Sequence, residues 1–297
     1  MKILVNSIAA LFLIGTAISA YSQSDLRIGI AQLLKSVDAE VGVGVKHLEK
    51  GDTFSVNGTG HFPMQSVFKF HLALAVLHEV DEGRMSLDHR VRINREDYIP
   101  NTWSPIAAKY PEGNVYISIQ DLILYTVASS DNNGCDVLFR LLGGPAKVND
   151  FIVGLGINEI AIKNTEREMH QSWDLQFKNW TTPRAMANLL DMFYKGQILS
   201  PNTTTILRKI IEETITGKHR IKGQLPEGTT VAHKTGMGGK DDIISAVNDV
   251  GVITLPNGQH VSIALFITKT SESVETLERL MAEISRKVFD YYSEGLH

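Results

Sequence analysis

Apolar and polar positions follow two different periods along the first eighty residues of the sequence. Across residues 25–37, apolar side chains recur at helical spacing, and residues 70–80 form a long apolar segment that is expected to be a helix. Between these segments, Val41, Val43 and Val45 alternate with glycine and Lys46, which is the period of a strand. The turn-forming stretch 49–52 separates this strand from residues 53–56 and predicts a β-hairpin.

Helix-start signals dominate the middle of the sequence, where strand signals fade for more than a hundred residues. Ser118 opens a segment resembling a capping box, and Thr182-Pro183 and Ser200-Pro201 each place a proline after an N-cap residue. An apolar pattern of helical period follows each signal. The helices predicted for this region are residues 122–128, 137–142, 146–153, 184–194 and 203–215.

Strand signals return towards the C-terminus. Residues 229–234 predict one strand, residues 246–255 and 260–268 predict a hairpin across the turn 256–259, and residues 273–292 predict a closing helix. Strands at both ends of the chain therefore flank a helical middle. The simplest arrangement is one antiparallel sheet built from both ends, covered by the terminal helices.

This pattern predicts an α+β fold with two lobes. Residues 24–60 and 220–297 are expected to form an α/β sandwich lobe, and residues 61–219 an all-α or mainly helical lobe inserted between its halves. The 297 residues suffice for one large domain or two modest ones. We expect a single catalytic unit with its active site between the lobes.

Composition and charge exclude some classes of partner. The chain is 43% hydrophobic and 21% charged, with a formal net charge of −4, so neither nucleic acid nor an anionic membrane is favoured. The single cysteine, Cys135, excludes an internal disulfide. It lies in an apolar helical pattern, and we interpret it as a small core residue and not as a nucleophile.

The first twenty residues resemble a secretion signal. Lys2 precedes an apolar run from Ile3 to Ile18, and small residues follow. Residues 1–20 are therefore expected to be a signal peptide cleaved between about residues 19 and 22, which predicts a secreted or periplasmic protein without membrane attachment. The alternative is an uncleaved N-terminal anchor.

The chemistry begins at Ser66 and Lys69, three residues apart at the start of the apolar helix 70–80. That spacing puts a hydroxyl and an amine on one helix face, so the amine could accept the proton of the hydroxyl. We interpret Ser66 as a nucleophile. A serine and a lysine at this spacing also occur roughly once by chance in a chain of this length.

Two further motifs strengthen this interpretation. Ser130-Asp131-Asn132 lies in a polar loop between two predicted helices, and Lys234-Thr235-Gly236 ends a predicted strand. Each alone could be an ordinary turn or a basic strand end. Together with Ser66-x-x-Lys69, and in this order, they resemble the signature of penicillin-interacting serine enzymes, the class A β-lactamases and their penicillin-binding relatives.

The resemblance covers about residues 24–295. It implies the serine β-lactamase and DD-peptidase-like fold, in which a five-stranded antiparallel sheet is flanked by terminal helices. It also implies a base for deacylation on a loop of the helical lobe. Glu166 matches that position, and Glu168 is the rival carboxylate within the same loop.

Departures from the common class A pattern point to one branch. His170 replaces the usual asparagine that helps to hold the hydrolytic water, and Asn164 and Asn179 replace an ion pair that pins the loop. These substitutions, with the insert-like stretch 101–114, resemble the PER-like extended-spectrum branch, which implies a preference for cephalosporins. The geometry of the loop, including the peptide bond after Glu166, stays open.

The resemblance assigns the acylation step. Ser66 would attack the lactam carbonyl after losing its proton to Lys69, or through a water to Glu166; both routes stay open. The backbone N–H groups of Ser66 and Met237 would form the oxyanion hole. Ser130 would pass a proton to the leaving nitrogen, with Lys234 favouring the transfer.

The resemblance also assigns the substrate contacts. The substrate's side-chain amide would bind Asn132, an aromatic residue would line the mouth of the cleft, and Glu166 would activate water for deacylation. The remaining residues implied in substrate binding are Lys234, Thr235, Gly236, Arg220, Trp103 and His170. Trp103 could instead be a surface tryptophan, and Arg220 a solvated charge. No metal or other cofactor is expected. We expect the protein to be a monomer that acts on a small-molecule β-lactam.

Three alternatives share parts of this set. A D-Ala-D-Ala peptidase would carry the three motifs without the loop of Glu166 and would stay acylated. A β-lactam sensor would also acylate without turnover. A serine amidase of the glutaminase kind would share the serine and lysine but would not carry the loop of Glu166.

Overall fold

The computed structural model of the protein describes residues 23–240 and 242–294. The expected signal peptide lies outside the described residues. The helices, in chain order, are α1 Gln23–Leu34, α2 Phe68–Asp81, α3 Pro105–Lys109, α4 Ile119–Ala128, α5 Asn132–Leu142, α6 Pro145–Gly154, α7 Glu166–Gln171, α8 Pro183–Tyr194, α9 Pro201–Glu212 and α10 Val274–Glu294. The strands are β1 Glu40–His47, β2 Thr53–Val56, β3 Phe62–Pro63, β4 Arg90–Ile93, β5 Val115–Ser118, β6 Ile160–Ala161, β7 Trp180–Thr181, β8 Val231–Lys240, β9 Ile243–Thr254 and β10 His260–Thr268.

The central sheet has five strands in the order β2-β1-β10-β9-β8. Its neighbouring strands pair antiparallel, with Val43 of β1 opposite Leu265 of β10 and Lys234 of β8 opposite Val250 of β9. The N-terminal and C-terminal parts of the chain therefore meet at the β1–β10 pair. This confirms the prediction of one antiparallel sheet built from both ends.

Each face of the sheet has its own hydrophobic core. On one face, α1 and α10 pack through residues such as Leu26 and Ile284, both fully buried. On the other face, Phe266 stacks on Phe62 with ring centroids 5.8 Å apart, and its core continues into the helical part of the chain. The alternating side chains of the strands thus serve both cores, which is why the hydrophobic pattern of the sheet is strong.

The predicted helix starts are confirmed at their caps. The Thr182 side chain accepts the N–H of Ala185 before α8, and the Ser200 side chain accepts that of Thr203 before α9. Ser118 does the same for α4. Proline follows the cap in α8 and α9 because the first helical position needs no intrahelical N–H bond.

The helical middle also contains short strands that the pattern did not indicate. Strands β4 and β5 form a two-stranded ribbon, and β3, β7 and β6 form a small three-stranded sheet. Their strands are two to four residues long, too short to show a period in the sequence. Strand β8 was predicted only as far as Lys234 but continues to Lys240 through glycines 236, 238 and 239.

Across residues 23–240 and 242–294, the helices are all too short or too polar to cross a lipid bilayer.

The first turn of α8 lies directly against β1. A Cβ atom at Gly44 would come within 2.2 Å of the Pro183 carbonyl oxygen, a backbone atom that cannot move aside. We therefore expect Gly44→Ala to destabilise the fold by about 3 kcal/mol or more, measured as the free energy of unfolding in urea. Gly154→Ala is the control, since no neighbouring atom lies within 4 Å of its added methyl group. Equal effects of the two changes would contradict this packing.

Candidate active site

Ser66 lies on a single 3-10 turn, Gln65–Val67, that leads directly into α2. The turn follows β3 and packs beside β8, so the serine hydroxyl faces the junction between the sheet and the helical part of the chain. The residue before it, Gln65, has φ of +47°, a left-handed conformation that is strained for a side chain other than glycine. Such strain concentrates at functional sites.

Lys69 gathers the candidate residues around one buried amine. Its Nζ atom donates to Ser66 Oγ at 2.9 Å, to the Ser130 carbonyl oxygen at 3.0 Å and to Asn132 Oδ1. It also lies 2.9 Å from Glu166 Oε1, and the Lys69 side chain is fully buried. Because a buried ammonium needs anionic or carbonyl partners, this one cation fixes all four oxygen atoms in place.

Ser130 and Lys234 form the second contact of the site. Lys234 Nζ donates to Ser130 Oγ at 3.1 Å and to the Thr235 carbonyl oxygen at 2.9 Å. Burial lowers the pKa of Lys234 well below its usual value, and the positive charge of Lys69 lowers it further. An amine of lowered pKa beside a hydroxyl can exchange a proton with it.

Asp131 holds the loop that carries Ser130, a role that sequence reasoning missed. Its fully buried carboxylate accepts the N–H of Gly134 at 2.8 Å and caps α5. It also accepts the Ser104 hydroxyl at 2.9 Å and the Ile106 N–H at 2.7 Å. The insert 101–114 is thereby joined to the Ser130 loop.

The side chains of that insert reach the site. Trp103 is 59% exposed, and its indole Nε1 donates to the Ser129 carbonyl oxygen at 2.8 Å. Thr102 accepts the amide nitrogen of Asn132 at 2.6 Å. The tryptophan is thus fixed at the mouth of the cleft, and the Asn132 amide is held from both ends.

Glu166 begins α7, where its side chain is buried. Thr165 caps this helix, and the Glu168 carboxylate accepts the Thr165 N–H at 2.7 Å to complete a capping box. The rival carboxylate Glu168 is therefore engaged at the helix start, whereas Glu166 contacts Lys69. The peptide bonds of the described residues are trans, including the one after Glu166.

Asp136 anchors Glu166 from α5. Its two carboxylate oxygens accept the N–H groups of Glu166 at 2.8 Å and of Arg167 at 2.9 Å. Burial raises the pKa of Asp136 to about 6, and the negative charge of Glu166 adds to this. The sequence held no signal for this contact, since Asp136 stands in an otherwise apolar helical pattern.

Hydrogen bonds of Asn164 and Asn179 join the two ends of the Glu166 loop, in place of the ion pair that these two asparagines replace. Asn179 Oδ1 accepts the N–H groups of Lys163 and Asn164 at 2.7 and 2.9 Å, and its amide nitrogen donates to the Asn164 carbonyl oxygen at 2.8 Å. The Asn164 side chain in turn donates to the Leu175 carbonyl oxygen at 2.8 Å. Two neutral asparagines thus pin both ends of the loop.

A buried polar trio links this loop to the turn that carries Ser66. Gln65 Nε2 and Ser245 Oγ both donate to Gln176 Oε1, at 2.6 and 2.5 Å. Gln176 belongs to the loop, Ser245 to β9, and Gln65 directly precedes Ser66. Gly238 of β8 lies against the trio, since a Cβ atom there would meet Gln65 Nε2 at 2.4 Å. Isolated glutamines and serines gave no signal in the sequence.

The open cleft consists of two cavities of about 450 Å³ each. The first lies between the Glu166 loop and the end of β8, and His170 and Trp173 line its wall. The second lies between Trp103 and β8. The residues shared by both cavities are Ser66, Asn132 and Met237.

Arg220 reaches the second cavity from beneath β8. Nη1 donates to the carbonyl oxygens of Gly236 and Asn248 at 3.1 and 2.8 Å, and Nε pairs with Glu278 Oε1 at 3.0 Å. Its side chain is 5% exposed. Arg220 is thus a buried and hydrogen-bonded cation, and the sequence alternative of a freely solvated charge is wrong.

Residues 23–240 and 242–294 contain no group of three or more histidine, cysteine, aspartate or glutamate side chains arranged to hold a metal ion. Cys135 is fully buried, which raises the pKa of its thiol well above the usual value.

Known proteins resemble the chain over nearly its whole length. A family model described as "Beta-lactamase enzyme family" matches residues 25–292. The chain is 42% identical to Beta-lactamase VEB-1 of Pseudomonas aeruginosa, over 98% of this chain and 99% of that protein. It is 41% identical to Extended-spectrum beta-lactamase PER-1 of the same organism, over 85% and 82%.

Solved structures of β-lactamases also resemble this chain over most of its length. The crystal structure of TLA-3 extended-spectrum beta-lactamase superposes with a TM-score of 0.90 at 47% identity, covering 92% of this chain and 100% of that one. The crystal structure of TLA-1 extended spectrum Beta-lactamase gives 0.89 at 48% identity, covering 91% and 99%.

The Asp136 carboxylate makes stability depend on pH in a defined window. The pKa of Asp136 is about 6 in the folded chain, against an ordinary aspartate value of 3.8, so between these pH values the folded state binds a proton that the unfolded chain has lost. Its contribution to stability is therefore full below about pH 3.8 and is lost as pH rises past 6.

Asp136→Asn removes this titration. We expect the stability of the variant relative to the parent to rise by up to roughly 2 kcal/mol between pH 4 and pH 7, measured by urea unfolding at several pH values. Asp150→Asn, on the exposed surface of α6, is the control for removing a carboxylate. A difference between variant and parent that stays constant across this range would contradict the assignment.

Proposed function

The chain belongs to the β-lactamase enzyme family, as a class A serine β-lactamase of the PER-like branch that hydrolyses the amide of the β-lactam ring, and from this premise we propose that Ser66 is its nucleophile. The observation that carries the proposal is the position of Lys69 Nζ, 2.9 Å from both Ser66 Oγ and Glu166 Oε1. A hydroxyl, an amine and a carboxylate that contact one another in this order form a path for a proton.

Acylation uses this path. Lys69 passes a proton to Glu166 across their 2.9 Å contact, and the neutral amine then takes the proton of Ser66 as its oxygen attacks the lactam carbonyl. Of the two routes open from the sequence, direct transfer to Lys69 is supported by the Ser66–Lys69 hydrogen bond. The serine oxygen becomes bonded to the carbonyl carbon, and the negative charge moves to the carbonyl oxygen.

Two backbone donors stabilise that charge. We assign them to the N–H groups of Ser66 and Met237, which flank the point where the two cavities meet. Each such donor lowers the barrier by about 3 kcal/mol in comparable enzymes. Ring opening then needs a proton on the lactam nitrogen, and Ser130 supplies it and recovers one from Lys234, whose pKa is lowered by burial.

Deacylation belongs to Glu166. Once it has returned its proton, the carboxylate can activate a water molecule that attacks the acyl carbon and frees Ser66. Asp136 supports this step by binding the N–H of Glu166, so the carboxylate is fixed from the backbone side as well as by Lys69. A peptidase or sensor that acylates without turnover would have no use for this arrangement.

The two cavities suggest where different parts of the substrate bind. Thr235, Gly236 and Arg220 line the second cavity, and we assign the substrate's carboxylate to them, with Trp103 at the same cavity. Lys234, buried beside Ser130 of this cavity, supports the assignment.

The first cavity, between Asn132 and His170, takes the acylamino side chain. Its volume of about 450 Å³ suits the large side chains of cephalosporins, and relatives named as extended-spectrum enzymes support a preference for them.

The cellular setting follows from the same premise. We propose that residues 1–20 direct export and are removed between about residues 19 and 22, that the mature enzyme acts as a monomer outside the cytoplasm, and that hydrolysis there confers β-lactam resistance. We also propose the division into an α/β lobe of residues 24–60 and 220–297 and a mainly helical lobe of residues 61–219.

Replacing the nucleophile tests the central assignment. Ser66→Ala removes the atom that becomes acylated, so kcat for a chromogenic cephalosporin should fall by roughly a thousandfold or more. Ser86→Ala, which truncates an exposed serine, is the matched control and should keep parental turnover. Turnover in Ser66→Ala within tenfold of the parent would exclude Ser66 as nucleophile.

Replacing the base separates the two half-reactions. Glu166→Gln removes both the proton acceptor of Lys69 and the group that activates water. Acylation should slow, but deacylation should stop, so a covalent adduct should accumulate. Mass spectrometry of the variant mixed with a penicillin would show the mass of protein plus intact antibiotic. Glu168→Gln is the control and should release its product. An adduct on Glu168→Gln but not on Glu166→Gln would reverse the two roles.

A further inference from the structure

Met237 is an exposed methionine inside the cleft. Its side chain is 53% exposed and lines both cavities. Of the eight methionines in the sequence, Met1 lies outside the described residues and the remaining six are buried or half-buried. These six are Met64, Met85, Met169, Met186, Met192 and Met281. Because oxidation of methionine follows access to the sulfur, Met237 is the first target for an oxidant in solution.

The sulfur of Met237 lies against the nitrogen of Arg220 that the fold leaves for substrate. Nη1 of Arg220 is committed to Gly236 and Asn248, and Nε to Glu278. The Nη2 atom faces Met237 Sδ at 3.7 Å. A thioether is a weak acceptor, so a carboxylate can displace it from Nη2 at little cost.

We propose that Met237 is a modification site, at which a peroxide converts the thioether to a sulfoxide whose oxygen occupies Arg220 Nη2 and weakens binding of the substrate's carboxylate. The effect on binding rests on the role proposed above for Arg220. The site itself rests on the exposure of Met237 and on the 3.7 Å contact.

The chemistry is a two-electron oxidation. A lone pair of the sulfur attacks one peroxide oxygen, the O–O bond breaks, an S–O bond forms, and the second oxygen leaves as water or an alcohol. Sulfur is oxidised and the peroxide is reduced. The product oxygen is a strong acceptor next to a guanidinium donor, which is the geometry of a stable hydrogen bond. Methionine sulfoxide reductase would reverse the change.

The modification should alter binding more than chemistry. The proposed oxyanion donor at this position is the backbone N–H, which oxidation of the side chain leaves intact. Losing one charge-assisted hydrogen bond from the carboxylate corresponds to a rise in KM of roughly tenfold or more. A cephalosporin methyl ester lacks the carboxylate charge, so its KM should change little.

The experiment treats the purified enzyme with graded hydrogen peroxide. At each dose, peptide mass spectrometry locates added oxygen, and steady-state kinetics gives KM and kcat for a cephalosporin and for its methyl ester. Met237→Leu keeps the bulk of the side chain without sulfur. Met169→Leu is the matched control, since Met169 also lines the cleft and its sulfur accepts from Asn179 at 3.4 Å. Each variant is compared with its own untreated sample.

We expect oxygen on Met237 at the dose that raises KM for the free acid, with the rise retained in Met169→Leu, absent in Met237→Leu and reversed by methionine sulfoxide reductase. Met237→Gln, which places an amide oxygen near Arg220 permanently, should show the raised KM without peroxide. The proposal fails if the KM effect survives in Met237→Leu, or if Met237 stays unoxidised at the inactivating dose.

The role of Arg220 fails separately. If Met237 is oxidised and the KM of the acid and of the ester rise equally, the sulfoxide does not act through the carboxylate, and the proposed coupling is overturned. Turnover of the untreated enzyme is unaffected by either result, so hydrolysis through Ser66 is judged independently.

Discussion

The buried ammonium of Lys69 is the constraint on which the rest of the site depends. A charge with no exposed surface must find oxygen partners within the protein, and leaving one of them out would cost several kcal/mol. Lys69 meets this demand with Ser66, Ser130, Asn132 and Glu166, which come from three separate segments. Because one cation contacts all of them, α2, the Ser130 loop and the Glu166 loop must pack together in a single arrangement.

Beside the ion pair of Glu166 with Lys69, the Glu166 loop is held by contacts in which one partner or both are neutral. Asn179 bridges the ends of the loop through three hydrogen bonds, and Asp136 binds the two N–H groups at the start of α7. Salt screens hydrogen bonds between neutral amides only weakly, whereas it weakens an ion pair near the surface. These amide contacts thus hold the loop across a range of ionic strength, and the carboxylate of Asp136 adds a titratable support.

The sequence predicted the frame and the candidate residues that lie together better than it predicted the residues that support them. The five strands of the sheet and the starts of α4, α8 and α9 were confirmed because each depends on local periodicity or on a local cap. Ser66 and Lys69 could be paired because helical spacing alone brings them together.

Gln176, Ser245 and Asp136 could not be found in this way. Each of them acquires its role from a partner distant in the chain, and as single polar residues they look like surface. The extension of β8 was missed for the opposite reason, since its glycines are poor strand formers that the neighbouring β9 nevertheless pairs.

The contact between Gly238 and the polar trio limits how this enzyme can evolve. A side chain at position 238 would meet both the Gln65 amide and the Ser245 hydroxyl, each at less than 3 Å. A substitution at position 238 therefore displaces the amide end of Gln65 or the Ser245 hydroxyl from the trio, next to Ser66. Its effect on the first cavity depends on the residues at positions 65 and 245, so the order of mutations, and not only their identity, bears on which variants of this enzyme are reachable.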